Sequence, residues 1–341
     1  MRADRSRLPE VGPDPAFRFP LAARHTLHNG LQVRTVEHHT APVVTIVVQV
    51  DAGAVADPRG REGLGAMTAD MVDEGTGSLS AIDVSEGLAR IGAEYDVDVG
   101  ADATCFSLTT LSRFAERGAS LLADILIRPS LRDNDFDRVR QLRLDRLRQL
   151  KDHPPAVAER AFLRLMYGEH PYGHLPIGNA LALGAMALEE VAAFHAARFR
   201  PSRATIIVAG PLSHDGLLRL AEGAFSGWPE GSVPVDVSGP AEVGSQGDPT
   251  SQHRMGGPPG ERTAPEAASP TRLVVVPREG APQSELRIGH LSARRNTPDY
   301  PALLVMNAVL GGEFVSRINL KLREEKGYTY GARTGFDWRR G

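Results

Sequence analysis

Apolar and polar positions follow a strand-like pattern in five stretches of the first two thirds of the chain. These stretches are short apolar runs rich in Val, Ile and Thr, which predict strands. The predicted strands cover residues 31–36, 43–50, 94–99, 103–111 and 204–209. The run at 43–50 is apolar almost throughout, which indicates a strand that is covered on both faces. Asn29-Gly30 predicts a turn before the first strand.

Apolar residues at intervals of three and four predict helices between and after these strands. The predicted helices cover residues 63–73, 81–91, 113–126, 133–151, 156–167, 188–199 and 216–225. Ser80 is a suitable N-cap for the second helix, and His153-Pro154-Pro155 ends the long one. The polar face of the long helix predicts a solvated surface with local ion pairs, formed by Arg138, Arg140, Arg143, Arg146, Arg148, Asp137 and Asp145.

The composition changes three times along the chain and divides it into four parts. Residues 1–20 are a Pro-rich, extended lead, and residues 21–233 form a first half. Residues 234–271 are poor in apolar side chains and rich in Gly, Pro and Ser, which predicts a flexible linker. Residues 272–341 then begin a second half.

The second half repeats the order of elements in the first half, which points to a duplication. TRLVVVP and SELRIGHL predict strands at 271–277 and 284–291, and helices are predicted at 300–310 and 314–326. Strand then helix at 284–310 matches strand then helix at 43–73. We therefore expect residues 272–341 to be the incomplete start of a homologous half.

Composition and charge narrow the class of protein. The chain has 341 residues, 41% hydrophobic content and a formal net charge of -3, which is typical of a soluble protein of about two domains. This charge does not favour a nucleic-acid partner, and no uninterrupted apolar run approaches ~18 residues, so we expect no membrane span. The single cysteine, Cys105, allows no intramolecular disulfide, which leaves a bacterial cytoplasm or periplasm open.

The segment LGGEFVSRINLKLREEKGYTYGARTGF, residues 310–336, closely resembles the second-half signature of the pitrilysin and insulinase family of zinc metallopeptidases. The resemblance implies that Arg323 and Tyr330 reach toward a zinc site in a first half and bind the oxyanion of a cleaved peptide. It also implies that Gly311, Gly312 and Tyr328 contact substrate. An ion-paired arginine and a core tyrosine are the alternative interpretation, which the extended context disfavours.

The first half resembles the same family in TLHNGLQV, GLGAMTADMVDEGT and GEHPYGHLPIG. In family proteases the second of these reads approximately GLAHFLEHMLFKGT, in which two histidines bind zinc and the glutamate is the general base. Those three positions are Ala66, Ala69 and Asp70 here. The third zinc ligand of the family, a glutamate on the long helix, falls at about Asp145 or Arg146. The resemblance therefore implies that this chain binds no catalytic zinc, which needs three protein ligands.

Three other groups of polar residues contain side chains that could bind a metal. His38 and His39 are adjacent on a strand edge and point to opposite faces, and His170 and His174 lie in the GEHPYGHLPIG loop. Each is better interpreted as a surface or loop histidine. The acidic cluster at the end of the 63–73 helix, Asp70, Asp73 and Glu74, is likewise better interpreted as a solvated face.

The family resemblance implies an α+β fold of two duplicated, α/β-roll-like halves, each an antiparallel sheet packed with helices, closing like a clamshell. The leading hypothesis is a non-zinc subunit of a heterodimeric metallopeptidase, inactive alone, whose zinc-bearing homologous partner completes a site for a peptide or unfolded protein. The alternative is a non-catalytic scaffold or substrate-recognition subunit, similar to the core proteins of the bc1 complex or the non-catalytic processing-peptidase subunit. A self-sufficient protease is the least favoured hypothesis. Exposed strand edges in the incomplete half predict that the isolated chain is poorly soluble.

Overall fold

A six-stranded sheet lies at the centre of the first half of the chain. The computed structural model describes residues 12–13, 18–230 and 271–340. The strands are β1 (Ala22–Thr26), β2 (Gln32–Glu37), β3 (Val43–Val50), β4 (Gly75–Thr76), β5 (Leu79–Ser80), β6 (Glu94–Val99), β7 (Thr104–Leu111) and β8 (Ala204–Gly210). Their order in the large sheet is β1-β2-β8-β3-β7-β6, while β4 and β5 form a separate pair. Only the β2–β8 pairing is parallel within the large sheet.

Eight α-helices alternate with the strands in the described part of this half. They are α1 (Leu64–Met71), α2 (Ala81–Arg90), α3 (Ala115–Ile127), α4 (Asp133–Lys151), α5 (Pro154–Tyr167), α6 (Ala180–Gly184), α7 (Leu188–Arg198) and α8 (His214–Phe225). Helices α3 and α8 pack against the sheet, and α1 packs against β6, α4 and α7. The predicted α+β fold, with a mostly antiparallel sheet packed against helices, is confirmed for this half.

The predicted elements of the first half agree closely with the structure. The long helix α4 has the predicted bounds, and Ser80 caps α2 in a capping box, with its Oγ accepting from Asp83 N at 3.2 Å. Gly30 has a φ of 81° in the predicted turn, in the left-handed region that favours glycine. Four short elements, β1, β4, β5 and α6, have no distinctive apolar pattern and are not predicted by the sequence.

The covering of β3 differs from the prediction of a strand buried on both faces. Val44, Ile46, Val48 and Val50 are buried, while the side chains between them are only partly covered. The helices therefore close one face of the strand more completely than the other. Cys105 on β7 is likewise half-buried, and burial raises the pKa of its thiol.

The second half contains the predicted helices and lacks the predicted strands. Helix α9 (Tyr300–Asn307) continues as a π-helical turn, Ala308–Gly312, and α10 (Arg317–Asn319) continues as Leu320–Glu325. No strand forms at 271–299 among the described residues, so both strand predictions there are wrong. A strand needs a neighbour to satisfy its backbone groups, and no described segment pairs with these. The predicted repeat of strand then helix is therefore only half present.

The helical segment Tyr300–Glu325 is long and apolar enough, by length and composition only, to cross a membrane, and 17% of its apolar 18-residue stretch is buried. Polar residues interrupt this apolar segment, so the sequence pattern alone does not predict it as a membrane span. One such helix is weak evidence, since the core helix of a soluble protein passes the same test. The predicted linker lies outside the described residues except for residue 271, and so does most of the predicted lead.

Candidate functional site

Helix α1, which carries the positions equivalent to a metal motif, begins at a buried carboxylate. Asp57 accepts hydrogen bonds from the backbone N–H of Gly63 and Gly65, both at 2.7 Å. Gly63 has a φ of 102°, a left-handed conformation that suits glycine. The helix then buries Ala66 and Ala69 and leaves Asp70 half-exposed. Neither alanine has an atom that could bind a metal or accept a proton.

The side chain that meets Asp70 is an arginine from α4. Nη1 of Arg143 lies 2.5 Å from Oδ2 of Asp70, and Nη2 donates to the Pro176 carbonyl at 3.1 Å. Arg143 is only 8% exposed, so its placement on a solvated face was wrong. It lies between the buried Val139 and Leu147 on the apolar face of the helix, a spacing that could have revealed its burial.

The α4 side chain that contacts Asp70 is Arg143, while Asp145 and Arg146, the positions counted for a third ligand, make other contacts. Asp145 is two residues on, roughly 200° around the helix, where it pairs with Arg148 and accepts from Gln141. Arg146 reaches the rim of the same cleft as Arg143. An arginine, and not a carboxylate, thus faces the degenerate motif.

A cleft of about 440 Å³ opens beside this pair. It is lined by Ala69, Asp70, Asp73, Glu74, Val97, Val139, Leu142, Arg143, Arg146 and Ile177. Three carboxylates and two arginines line one region of it, while the remaining side chains are apolar. Within the part of the chain that is described, the Tyr95 hydroxyl and Nε of Arg143 are buried without a hydrogen-bond partner.

The three carboxylates of the cleft have different partners. Asp70 pairs with Arg143, and Glu74 pairs with Arg138. No described residue forms an ion pair with Asp73, and burial, reinforced by the neighbouring Glu74 charge, raises its pKa to about 6. Burial and the charges of Asp73 and Asp70 also raise the pKa of Tyr95. The prediction of a solvated acidic face is therefore wrong for Asp73, whose charged form is disfavoured.

A zinc ion does not fit the side chains at this position. Zinc requires lone-pair donors from His, Cys, Asp or Glu, and the described residues contain no group of three such side chains placed to hold a metal. The one carboxylate of the motif, Asp70, is already bound to a guanidinium. The positive charge beside Asp70 comes from the Arg143 guanidinium.

The histidine-containing loop packs against the start of α1. Nε2 of His174 lies 3.1 Å from Oδ2 of Asp57, and Nδ2 of Asn179 donates to Glu62 at 3.0 Å. His174 therefore has a buried partner instead of a free surface position. Nδ1 of His170 accepts from Tyr172 N within the loop, and His38 and His39 are exposed as expected.

The predicted catalytic and substrate-binding residues of the second half differ in exposure. The Arg323 guanidinium stacks 4.4 Å from the Phe314 ring centroid and lies 3.2 Å from Glu324. Tyr328 and Tyr330 are 77% and 91% exposed, and Tyr330 lies on irregular backbone. Among the described residues, no hydrogen bond, ion pair or ring contact joins Arg323 or Tyr330 to α1. Their roles stay predictions.

The paired glycines before this segment differ in their surroundings. Gly311 is buried, and a Cβ atom there would lie 2.4 Å from Oγ1 of Thr334. Gly312 is exposed. The absence of a side chain at Gly311 thus permits close packing within this half, which is independent of any role in substrate binding.

Two domain models of one peptidase family match the chain in adjacent regions. Residues 32–178 match the family described as insulinase (peptidase family M16), and residues 185–341 match the peptidase M16 inactive domain. Among curated relatives, an uncharacterized zinc protease of Mycobacterium leprae is 23% identical over 94% of this chain and 67% of its own length. A probable mitochondrial-processing peptidase subunit beta of Schizosaccharomyces pombe is 24% identical over 86% of this chain and 59% of its own.

Solved structures share the fold. The peptidase M16 inactive domain from Pseudomonas fluorescens aligns with a TM-score of 0.74 and 22% identity, over 93% of this chain and 71% of that one. A protease from Helicobacter pylori aligns with a TM-score of 0.62 and 23% identity, over 65% of this chain and 54% of that one. The chain spans about two thirds of the length of several curated relatives.

Proposed function

The chain belongs to the insulinase family of peptidases, family M16, and we propose that it is the non-zinc subunit of a heterodimeric metallopeptidase. The observation that carries the proposal is the α1 motif position, where Ala66 and Ala69 are buried and Asp70 binds Arg143. This chain's own side chains supply neither metal ligands nor a general base there. A homologous partner that carries the zinc motif would supply both.

Arg323 and Tyr330 are the residues by which this subunit would take part in proteolysis. The Tyr330 hydroxyl is exposed and the Arg323 guanidinium is half-buried against Phe314. Both side chains are hydrogen-bond donors, and donors aimed at the carbonyl oxygen of a peptide stabilise the oxyanion that forms during cleavage. Gly311, Gly312 and Tyr328 would contact the peptide beside them.

The experiment measures cleavage of a quenched fluorescent peptide by the native full-length protein, by a zinc-motif homologue from the same genome, and by their mixture. We expect cleavage only in the mixture, with roughly 10²-fold lower turnover in Arg323→Ala and a similar direction of change in Tyr330→Phe. Arg333→Ala, an exposed arginine of the same segment, is the matched control and should keep full turnover.

Two outcomes contradict the proposal in different ways. Stoichiometric zinc and cleavage by this chain alone would mean that it is a complete protease. A stable complex with the homologue and no effect of either variant would indicate a scaffold or substrate-recognition subunit instead.

A further inference from the structure

The Arg143 guanidinium joins three separate parts of the first half. It extends from α4, binds the Asp70 carboxylate on α1 at 2.5 Å, and donates to the Pro176 carbonyl at 3.1 Å. Pro176 belongs to the loop that follows α5, and this loop also contacts the start of α1 through His174. One buried cation thus holds two helices and a loop together.

The other arginines of α4 are placed differently. Arg148 pairs with Asp145 and Arg146 contacts Gln149, in both cases within the helix and at the surface. Arg140 pairs with Asp137 and also donates to the Met186 carbonyl at 3.2 Å. Arg138 pairs with Asp135 on the same helix and with Glu74 beyond the end of α1. Arg143 is the one of these five α4 arginines whose residue is buried. Its burial requires compensation, because an unpaired buried charge is costly.

Asp70 occupies the position at which the family resemblance implies a metal-binding histidine, and the α4 side chain that meets Asp70 is Arg143. A metal ligand supplied by α4 would have to reach the same point. We propose that the Arg143 guanidinium takes the place of a metal ion in this chain, joining α1, α4 and the 168–179 loop while excluding zinc by its size and charge. This inference concerns the chain's own side chains and does not depend on a partner subunit.

Zinc binding should be restored only when the Arg143 guanidinium is removed together with the changes on α1. Adding the motif side chains on α1 with A66H, A69E and D70H leaves the guanidinium between the new ligands. Replacing it as well, with R143E, removes the positive charge and adds the third ligand that a catalytic zinc site requires. The same glutamate at an exposed position of α4 outside the cleft, R148E, leaves Arg143 in place and is the matched control.

Zinc binding is measured by calorimetric titration of zinc chloride into three folded variants of the full chain. We expect stoichiometric binding by A66H/A69E/D70H/R143E, and at least 100-fold weaker binding by A66H/A69E/D70H and by A66H/A69E/D70H/R148E. Equal binding by a variant that retains Arg143 would overturn the proposal. Failure of the folded R143E variant to bind zinc would overturn it as well.

A second measurement tests the proposal in case these multiple variants do not fold. Arg143→Met should lower the urea midpoint and increase hydrogen exchange in the 168–179 loop. In the double variant Arg143→Met/Asp70→Asn, the second substitution should add little to either change. Arg140→Met, on the same helix, should leave exchange in the loop unchanged. An Arg143→Met protein with the wild-type midpoint and unchanged exchange would show that the guanidinium does not join these elements.

Discussion

Nε2 of His174 lies 3.1 Å from Oδ2 of Asp57, a carboxylate whose side chain is completely buried. The same carboxylate accepts the backbone N–H of Gly63 and of Gly65, both at 2.7 Å. Asp57 thus satisfies the first donors of α1, which have no partner within the helix, and ties them to the loop that contains His174. The helix that carries the degenerate motif is fixed at its start by a polar network instead of a metal.

Replacing Asp57 by Asn is expected to destabilise the protein by about 2–3 kcal/mol. The amide keeps the size of the side chain but has one acceptor oxygen, so a buried N–H at the start of α1 loses its partner. The free energy of unfolding in urea is the measurement. Asp215→Asn, at an exposed position of α8, is the control, with an expected effect within about 0.5 kcal/mol. Equal effects of the two substitutions would contradict the assigned role of Asp57.

Gly178 of the loop packs directly against the backbone of Glu62 and Gly63, just before α1. Gly178→Ala is therefore expected to be strongly destabilising. Its φ is 76°, and a Cβ atom would lie 2.1 Å from the carbonyl oxygen of Glu62. The loop would have to move, which we expect to cost about 3 kcal/mol or more by analogy with other backbone strain. Gly184→Ala, on α6, meets no atom within 4 Å and should be neutral or stabilising. A thermal melt of both variants decides the point, and a wild-type midpoint for Gly178→Ala would refute it.

The first half was predictable because its apolar periods agree with its final elements. The α4 bounds and the Ser80 cap depend on residues close in sequence, so local rules identify them. Arg143 was missed because its partner, Asp70, lies on another helix, and because five arginines on one helix suggest a solvated face. Its position between Val139 and Leu147 carried the signal, since apolar spacing marks which face of a helix is buried.

Asp73 is expected to make the protein less stable at pH 7–8 than an uncharged residue would. Its pKa is raised from 3.8 to about 6 by burial and by Glu74, so the folded state binds the proton more tightly than the unfolded state does. The penalty is complete above about pH 6 and disappears as the pH falls toward 3.8. Asp73→Asn should therefore raise the free energy of unfolding by about 2 kcal/mol at pH 8.

The measurement for Asp73 is a urea titration of wild type and Asp73→Asn at several pH values between 4 and 8. The gain in stability of the variant should shrink as the pH falls and should be lost near pH 4. Asp215→Asn serves as the control, because it makes the same substitution at an exposed position. A gain that is the same at pH 8 and pH 4 would show that it does not arise from the charge of Asp73.

The second half illustrates why strand prediction fails where helix prediction succeeds. Helix α9 satisfies its backbone groups within one segment, so its sequence pattern is sufficient. TRLVVVP has the composition of a strand, yet the structure leaves residues 271–277 unpaired and largely exposed. Pairing depends on a second segment, which the local pattern does not contain. The positions of Arg323 and Tyr330 relative to α1 depend on the same long-range packing.

The unpaired segment 271–291 leads to the last prediction, which concerns association of the isolated chain. Val275 is 75% exposed and Ile288 is 92% exposed, and exposed apolar segments of high β-propensity promote edge-to-edge association. V275K/I288K should therefore increase the monomer fraction in light scattering and raise the concentration at which the chain precipitates. The control is Ile82→Lys, because Ile82 is 71% exposed but lies on α2, where a helix satisfies the backbone. If Ile82→Lys improved solubility as much as V275K/I288K, general surface charge would be the cause, and the unpaired backbone of the second half would not be the site of association.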